Sequence, residues 1–353
     1  MRLLLITPKV DPNDDLFGHV HAWVGALARR VESLYVVALW DGDPPLPTNV
    51  RFASLGKGKT ADKALWLARL QRLVGRLCLG HRVDAVLAHM GPLFAVAAAP
   101  LARLAGCPLF LWYAHGHVSP MLRLSHALVD GVGTSTPEGF RIPSRKVWLT
   151  GQGIDTERFV PLENRTTVPP KLLSVGRFSP IKDYETLLDG LSRLPEMPCV
   201  ELIGGVHSEG EARHLAQLQR RAGRPGLGER VRFVEGVPYS RMPARYQTAT
   251  LFASCSRTGS LDKAALEAAA CGVVPIVCNA AFRELLGRCW EQLSFPTGDG
   301  PRLAERLRDW LGRDAGERRE LALGLRGLIE REHSLDHLAD GVVQMVAARA
   351  SGP

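Results

Sequence analysis

Three groups of side chains in this sequence could do chemistry on an anionic ligand. The first is a basic pair, Arg177 and Lys182, in the loop that follows the apolar run Lys171–Val175. A planar guanidinium fork and a compact ammonium converging on one anion suit a diphosphate. The second is the stretch Ser254–Pro275. Its residues Ser256, Thr258, Gly259 and Ser260 make a small-residue loop that lets a ligand approach the backbone closely. Leu261, Asp262 and Lys263 then open a run of strong helix formers that ends at Ala270, with Gly272 as the stop. A helix start behind such a loop is a ready anion site. Glu267 lies about one and a half turns into that helix, where a carboxylate can accept hydrogen bonds from hydroxyls such as those of a ribose. The third is His115, beside Gly116 at the end of the apolar run Leu109–Tyr113. A histidine placed there can reach into a ligand site. Each group also has a plainer reading: two basic residues in a loop, a surface glutamate on an ordinary helix, and a histidine paired to backbone at a strand end.

The run Glu267-Ala268-Ala269-Ala270-Cys271-Gly272 resembles the second half of the donor-sugar signature of the retaining glycosyltransferases of family 4, which have the GT-B fold. That signature carries two glutamates separated by seven residues. Gly259 occupies the first glutamate's position here, and Thr258-Gly259-Ser260-Leu261-Asp262-Lys263 looks like a recurrent variant within the family. The family's first glutamate touches the donor sugar, so this departure leaves the sugar open. Two further segments carry the resemblance. Gly176-Arg177 followed by Lys182 matches the family's Gly-Arg-x4-Lys motif, and Gly151–Phe159 resembles its Gly-x-Asp-x-x-x-Phe crossing segment. The likeness is dense from Val147 to Ala281 and sparse before it.

The resemblance implies an α/β protein of GT-B type, with two doubly wound Rossmann-like domains facing across a cleft. The expected bounds are an acceptor domain over residues 1–160, a donor domain over 161–335, and a C-terminal helix over 336–353 that crosses back to the first domain. The implied function is retaining transfer of a sugar from a nucleotide-sugar, UDP being the family's commonest carrier, to a hydroxyl acceptor. Products of that kind belong to polysaccharide, glycolipid or glycoconjugate synthesis. Arg177 and Lys182 are implied to hold the diphosphate and stabilise its departure, and His115 to orient the sugar. Gly18, Gly205, Val237, Gly259, Ser260, Leu261, Asp262, Lys263 and Glu267 complete the implied donor site, with no metal or cofactor. The alternatives are a non-catalytic nucleotide-sugar-binding protein, and a phosphorylase or epimerase on the same fold.

The elements needed to position these residues are legible as alternating patches. Strands are expected at Leu3–Thr7, Leu34–Leu39, Val50–Ala53, Ala85–Ala88, Leu109–Tyr113, Gly131–Thr134 and Val147–Thr150, with helices at His19–Arg30, Asp62–Leu79 and Leu93–Ala105. The strands are mostly continuous apolar runs, which suits a parallel sheet covered on both faces. The second half repeats the alternation, with Val200–Gly205 and Arg230–Pro238 as further strand-and-turn segments and Tyr239–Ala249 as a helix. Residues 160–170 are rich in Pro, Thr and polar residues and read as a linker. Ligands belong at the carboxyl ends of such strands. One such end is the acidic loop Pro8–Gly18, read either as a phosphate-bordering loop through Gly18 or as a solvated turn.

Length and composition bound the rest. A chain of 353 residues with 46% hydrophobic and 23% charged content suits two ordinary globular cores. Seven cysteines occur without a Cys-x-x-Cys pair, which argues against a zinc ribbon or redox motif and fits a reducing cytosol. The opening Met1–Pro8 is too short to span a membrane. A net charge of +8 suits anionic partners, but no nucleic-acid motif accompanies it. The expected location is cytoplasmic, with a peripheral contact at the inner membrane face through the basic, amphipathic helix 62–79 as one reading and core packing as the other. Two motifs compete for attention. Asp41-Gly42-Asp43 looks like a metal-binding Asp-x-Asp but is followed by two prolines and reads better as a turn. Ala53–Thr60 ends in Gly-Lys-Thr like a P-loop, yet Ala53 stands where its first glycine belongs, so Lys59 is weakly placed for ATP hydrolysis.

Overall fold

A computed structural model describes residues 1–42, 44–57, 62–162, 169–196, 198–223 and 227–350. Asp43, Lys59 and the centre of the expected linker, 163–168, lie outside the described residues. The chain divides into two compact units: residues 1–153 with 333–353, and residues 154–332. The second unit starts at Ile154 rather than 161 because Ile154 and Phe159 are wholly enclosed in its core. Among the described residues no helix is long and apolar enough to cross a membrane.

In the first unit the order is β1 (Arg2–Thr7), α1 (His19–Ala28), β2 (Ser33–Ala38), β3 (Val50–Ser54), α2 (Lys63–Cys78), β4 (Ala85–His89), α3 (Pro92–Leu104), β5 (Leu109–Trp112), α4 (Pro120–Leu128), β6 (Gly131–Thr134) and β7 (Val147–Leu149). All pairings are parallel, in the spatial order β3-β2-β1-β4-β5-β6-β7. Leu3 and Leu5 point to one face of the sheet and Leu4 and Ile6 to the other, into separate cores. That two-sided burial is why β1 reads as an unbroken apolar run. On α2, Trp66, Leu70, Val74 and Leu77 are buried while Lys63, Arg72 and Arg76 are exposed, so the apolar stripe packs on its own unit. Helix α4 is absent from the sequence-based expectation. Ser119 caps it by accepting the Leu122 N–H at 3.1 Å, and Pro120 opens it.

In the second unit the order is β8 (Lys171–Val175), α5 (Tyr184–Leu191), β9 (Cys199–Gly204), α6 (Glu209–Ala222), β10 (Val231–Glu235), α7 (Met242–Gln247), β11 (Leu251–Ser254), α8 (Lys263–Ala270), β12 (Val274–Val277), α9 (Arg283–Leu286), α10 (Trp290–Leu293), α11 (Gly300–Gly312) and α12 (Ala315–Glu332). The parallel sheet runs β10-β9-β8-β11-β12. The helix expected over Tyr239–Ala249 is split, a 3-10 turn at Tyr239–Arg241 preceding α7. The last helix, α13 (Leu335–Ala350), returns to the first unit, where Leu338, Ala339, Val342 and Met345 join the core that holds α1.

The carboxyl ends of three neighbouring strands in the second unit meet in glycines. Gly176 N–H donates to the Ile203 carbonyl at 2.9 Å, and Gly236 N–H to the Gly204 carbonyl at 3.3 Å. A Cβ at Gly204 would stand 2.1 Å from the Gly176 carbonyl oxygen, which is itself fixed by the Tyr184 hydroxyl at 2.7 Å. The obstacle is backbone and cannot swing aside. Gly204→Ala is therefore expected to cost at least about 2 kcal/mol of stability, as overpacking against an immovable neighbour does. Thermal melts of the intact chain check this, and an unchanged melting temperature would refute it.

Candidate functional site

In the second sheet the strand order reverses between β8 and β11, since β9 and β10 lie on one side of β8 and β12 beyond β11. Ligands in doubly wound sheets gather at the carboxyl ends of the strands flanking such a reversal. Lys182 stands in the loop after β8, and Asp262 follows β11. Both oxygens of Asp262 accept from the Lys182 ammonium at 3.1 Å, and Oδ2 also accepts the Ser254 hydroxyl at 2.6 Å. The lysine stem lies over Gly176, where a Cβ would meet its Cε at 2.5 Å. The two loops are laced together by Arg257. Its N–H donates to the Ile181 carbonyl at 2.9 Å, and its Nε donates to Asp183 at 2.9 Å. Asp183 is a non-glycine residue in the left-handed region, at φ 50°. Its carboxylate also accepts the Thr186 hydroxyl at 2.7 Å, so the strained turn beside Lys182 is held from two sides.

Arg177 is placed differently. Its guanidinium donates to Glu211 Oε1 at 3.1 Å, and among the described residues Glu211 is its one ion-pair partner. Glu211 is buried at the start of α6, where Oε2 accepts the His207 N–H at 2.7 Å and Ser208 accepts the Glu211 N–H. Arg177 and Lys182 are thus each matched to a carboxylate. The neighbouring glycine Gly205 accepts the Phe178 N–H at 3.3 Å, and Val237 turns its side chain into the core.

The loop before α8 is folded on itself. Asn279 Nδ2 donates to the Ser260 carbonyl at 2.5 Å, Gly259 takes φ 68°, and Ser260, Leu261 and Asp262 are all buried. Helix α8 is buried from Ala264 to Ala270, so Glu267 is enclosed rather than exposed. Its two oxygens accept the Tyr239 hydroxyl at 2.8 Å and the Tyr246 hydroxyl at 2.9 Å. Burial raises both phenols well above their ordinary value, and Glu267 adds to the shift, so they stay protonated donors. A carboxylate has about four lone-pair directions, and the tyrosines occupy one on each oxygen of Glu267. The Lys263 ammonium, expected to face an anion, is instead enclosed and lies in the field of Glu267. Tyr239, Tyr246, Glu211 and Arg257 were not singled out from the sequence. The signals were present: a lone carboxylate in an otherwise apolar helix needs partners, and Ser208-x-x-Glu211 is a capping-box spacing.

In the first unit, Gly18 is the cap residue of α1, and its N–H donates to the Asp14 carbonyl at 3.2 Å. The acidic loop is an internally bonded turn. Asp14 Oδ1 accepts the Leu16 and Phe17 N–H groups, and Lys9 bridges Asp14 at 2.6 Å and Asp11 at 3.1 Å. His115 follows β5. Its own N–H donates to the Gly139 carbonyl at 2.9 Å, and its Nδ1 accepts the His117 N–H at 3.1 Å. A ring that accepts at Nδ1 carries its proton at Nε2, which makes Nε2 a donor. Asp41 accepts the hydroxyl of Ser54, at the end of β3, at 2.5 Å. No group of three or more potential metal ligands occurs among the described residues.

Two parallel-sheet α/β units of this topology are the GT-B class of fold, and the comparisons agree. Residues 155–322 match the family model described as Glycosyl transferases group 1. The chain is 26% identical, over 319 residues, to the GDP-mannose-dependent alpha-(1-6)-phosphatidylinositol monomannoside mannosyltransferase of Mycolicibacterium smegmatis, covering 78% of this chain and 80% of that protein. Sucrose-phosphate synthase from Thermosynechococcus elongatus superposes with a TM-score of 0.81 at 19% identity, covering all of both chains. HepE of Anabaena, solved in complex with UDP and glucose, superposes with a TM-score of 0.77 at 17% identity, covering 99% of this chain and 100% of that one.

The enclosed glutamate has a measurable signature. Burial pushes the Glu267 carboxyl up to about 7, against the opposing pull of Lys263 and the two tyrosines. A carboxyl with a raised folded pKa holds its proton more tightly in the folded chain. Its contribution to stability is therefore fully present below the ordinary value of 4.5 and declines as pH rises to about 7. Relative to Glu267→Gln, the parent protein is expected to lose roughly 1–3 kcal/mol of stability between pH values of about 5 and 7.5. Denaturant unfolding of both proteins at both pH values measures this, and a stability difference independent of pH would refute it.

Proposed function

We propose that this chain transfers a glycosyl group from a nucleotide-sugar to a hydroxyl acceptor with retention of configuration. The reading rests above all on one observation. A lysine clamped over Gly176 meets the start of α8 at the reversal of the second sheet, inside the segment that matches the group 1 model. That is where a diphosphate is best received, by cations together with a helix start. In this reading Lys182 and Arg177 take up charge as the bond between the anomeric carbon and the phosphate oxygen breaks. The acceptor oxygen bonds to the anomeric carbon, and its proton leaves with the diphosphate. Glu267 receives the ribose hydroxyls, Val237 and Gly205 border the base and phosphates by their backbone, and the His115 Nε2–H donates to the sugar. The protein's own cations stabilise the leaving group, with no metal required.

The named relatives bear on the donor and acceptor. One curated relative is GDP-mannose-dependent and acts on a phosphatidylinositol mannoside, whereas HepE was solved with UDP and glucose. Uridine and guanosine carriers are therefore both proposed as probes, with a glycolipid or polysaccharide hydroxyl as the acceptor class. A contact with an anionic membrane through the exposed basic residues of α2 accords with a lipid acceptor.

Lys182→Ala is expected to weaken UDP or GDP binding at least about tenfold, the loss of one charge-assisted contact. Calorimetry on parent and variant measures this, and diphosphate release from UDP- and GDP-sugars separates a transferase from a mere binder. Equal affinity in the two proteins would refute the assignment.

A further inference from the structure

Five aspartates among the described residues stand just before a helix; Asp62, Asp299 and Asp314 cap theirs, whereas Asp183, in a left-handed backbone, and Asp262 do not. Asp62 caps α2 by accepting the Ala64 N–H at 2.8 Å, and Asp299 caps α11 by accepting the Arg302 N–H at 2.8 Å. Asp262 precedes α8 but makes no side-chain cap bond. Backbone conformation does not explain the difference, since Asp62 has φ −68° and ψ 111° and Asp262 has φ −79° and ψ 111°. The carboxylate of Asp262 is diverted to Lys182 and Ser254 instead.

The diversion sets the electrostatics of the site. An ammonium has three donors and no acceptor, and the Lys182 ammonium is engaged by both oxygens of one carboxylate at 3.1 Å. A phosphate arriving at Lys182 meets a ligand of its own charge already in place, only 7% exposed and held from behind by Ser254. It must either share the ammonium at the cost of like-charge repulsion or displace the carboxylate. Displacement need not strand Asp262, since a carboxylate at this position can take the capping role that Asp62 and Asp299 play.

We propose that Asp262 is a resident counter-ion that sets how tightly this site retains a nucleoside diphosphate, yielding Lys182 when the diphosphate binds and reclaiming it as the diphosphate leaves. This rests on the reading of the site as a diphosphate site. The effect is on affinity and release: the pair keeps the vacant site neutral and loosens the product.

The test uses the intact chain, UDP and GDP as probes, and calorimetry with stopped-flow dissociation. Asp262→Asn keeps the size and both polar atoms but removes the charge. It is expected to bind the preferred diphosphate about fivefold to tenfold more tightly, chiefly through slower dissociation. Lys182→Met combined with Asp262→Asn is expected to lose that gain, a coupling that a general change in folding would not produce. Equal or weaker binding by Asp262→Asn, with a melting temperature near the parent's, would overturn the counter-ion role and leave the diphosphate site standing. Failure of the parent protein to bind either diphosphate would overturn both.

Discussion

The contact between Lys182 and Asp262 ties two loops of the second unit together. It joins the loop after β8 to the residue that opens α8, across the reversal in strand order. To make it, the lysine stem must lie flat on Gly176, and Gly176 must present its carbonyl to Tyr184 on one side and crowd Gly204 on the other. Asp183, immediately after the lysine, accepts a left-handed backbone that Arg257 and Thr186 hold in place. Three glycine and aspartate positions that look unrelated along the chain are therefore set by the path of one side chain.

The same contact illustrates how the protein carries a basic balance without leaving unmatched charge in its interior. The chain has a formal net charge of +8, yet Arg177, Lys182 and Arg257 are each paired, with Glu211, Asp262 and Asp183. All three carboxylates are largely buried. A half-enclosed cation without a partner would be costly, and each of these three has a buried carboxylate beside it. On the proposed reading, phosphate binding would be an exchange of partners, with affinity set by competition against these carboxylates.

Much of the fold was legible in the sequence because parallel strands buried on both faces leave continuous apolar runs, and β1, β4 and β5 all do so. Helix α4 escaped because its signal is a Ser-Pro start, not an apolar stripe, and most of α4 is not buried. The motif residues Lys182, Asp262 and Glu267 were located by spacing, but their partners were not. Spacing gives the position of a side chain along an element and says nothing of what lies across the fold from it. Glu267 is the clearest instance. Its helix is alanine-rich and buried throughout, a pattern that forbids a solvated glutamate. Which residues satisfy it depends on α7 and the turn before it packing against α8, a tertiary fact that puts Tyr239 and Tyr246 on one carboxylate. Lys263 went the other way: a basic residue at a helix start suggests an anion site, yet its ammonium nitrogen is buried.

The two sheets share a reversal in strand order but fill it with different chemistry, and the difference argues which one receives a diphosphate. In the first unit the reversal lies between β1 and β4. His89 at the end of β4 is 1% exposed, bonded through Nδ1 to the Thr7 hydroxyl at 2.9 Å and stacked 4.7 Å from Trp23, which in turn meets Trp112 edge-on at 4.6 Å. That cluster is cohesive by packing, and an anion entering it would have to break aromatic contacts while losing its own hydration. In the second unit the corresponding position holds the ion pairs of Lys182 with Asp262 and of Arg257 with Asp183, whose carboxylates are buried. Under the function proposed above, a diphosphate would meet an exchangeable partner at the second reversal and a packed aromatic cluster at the first.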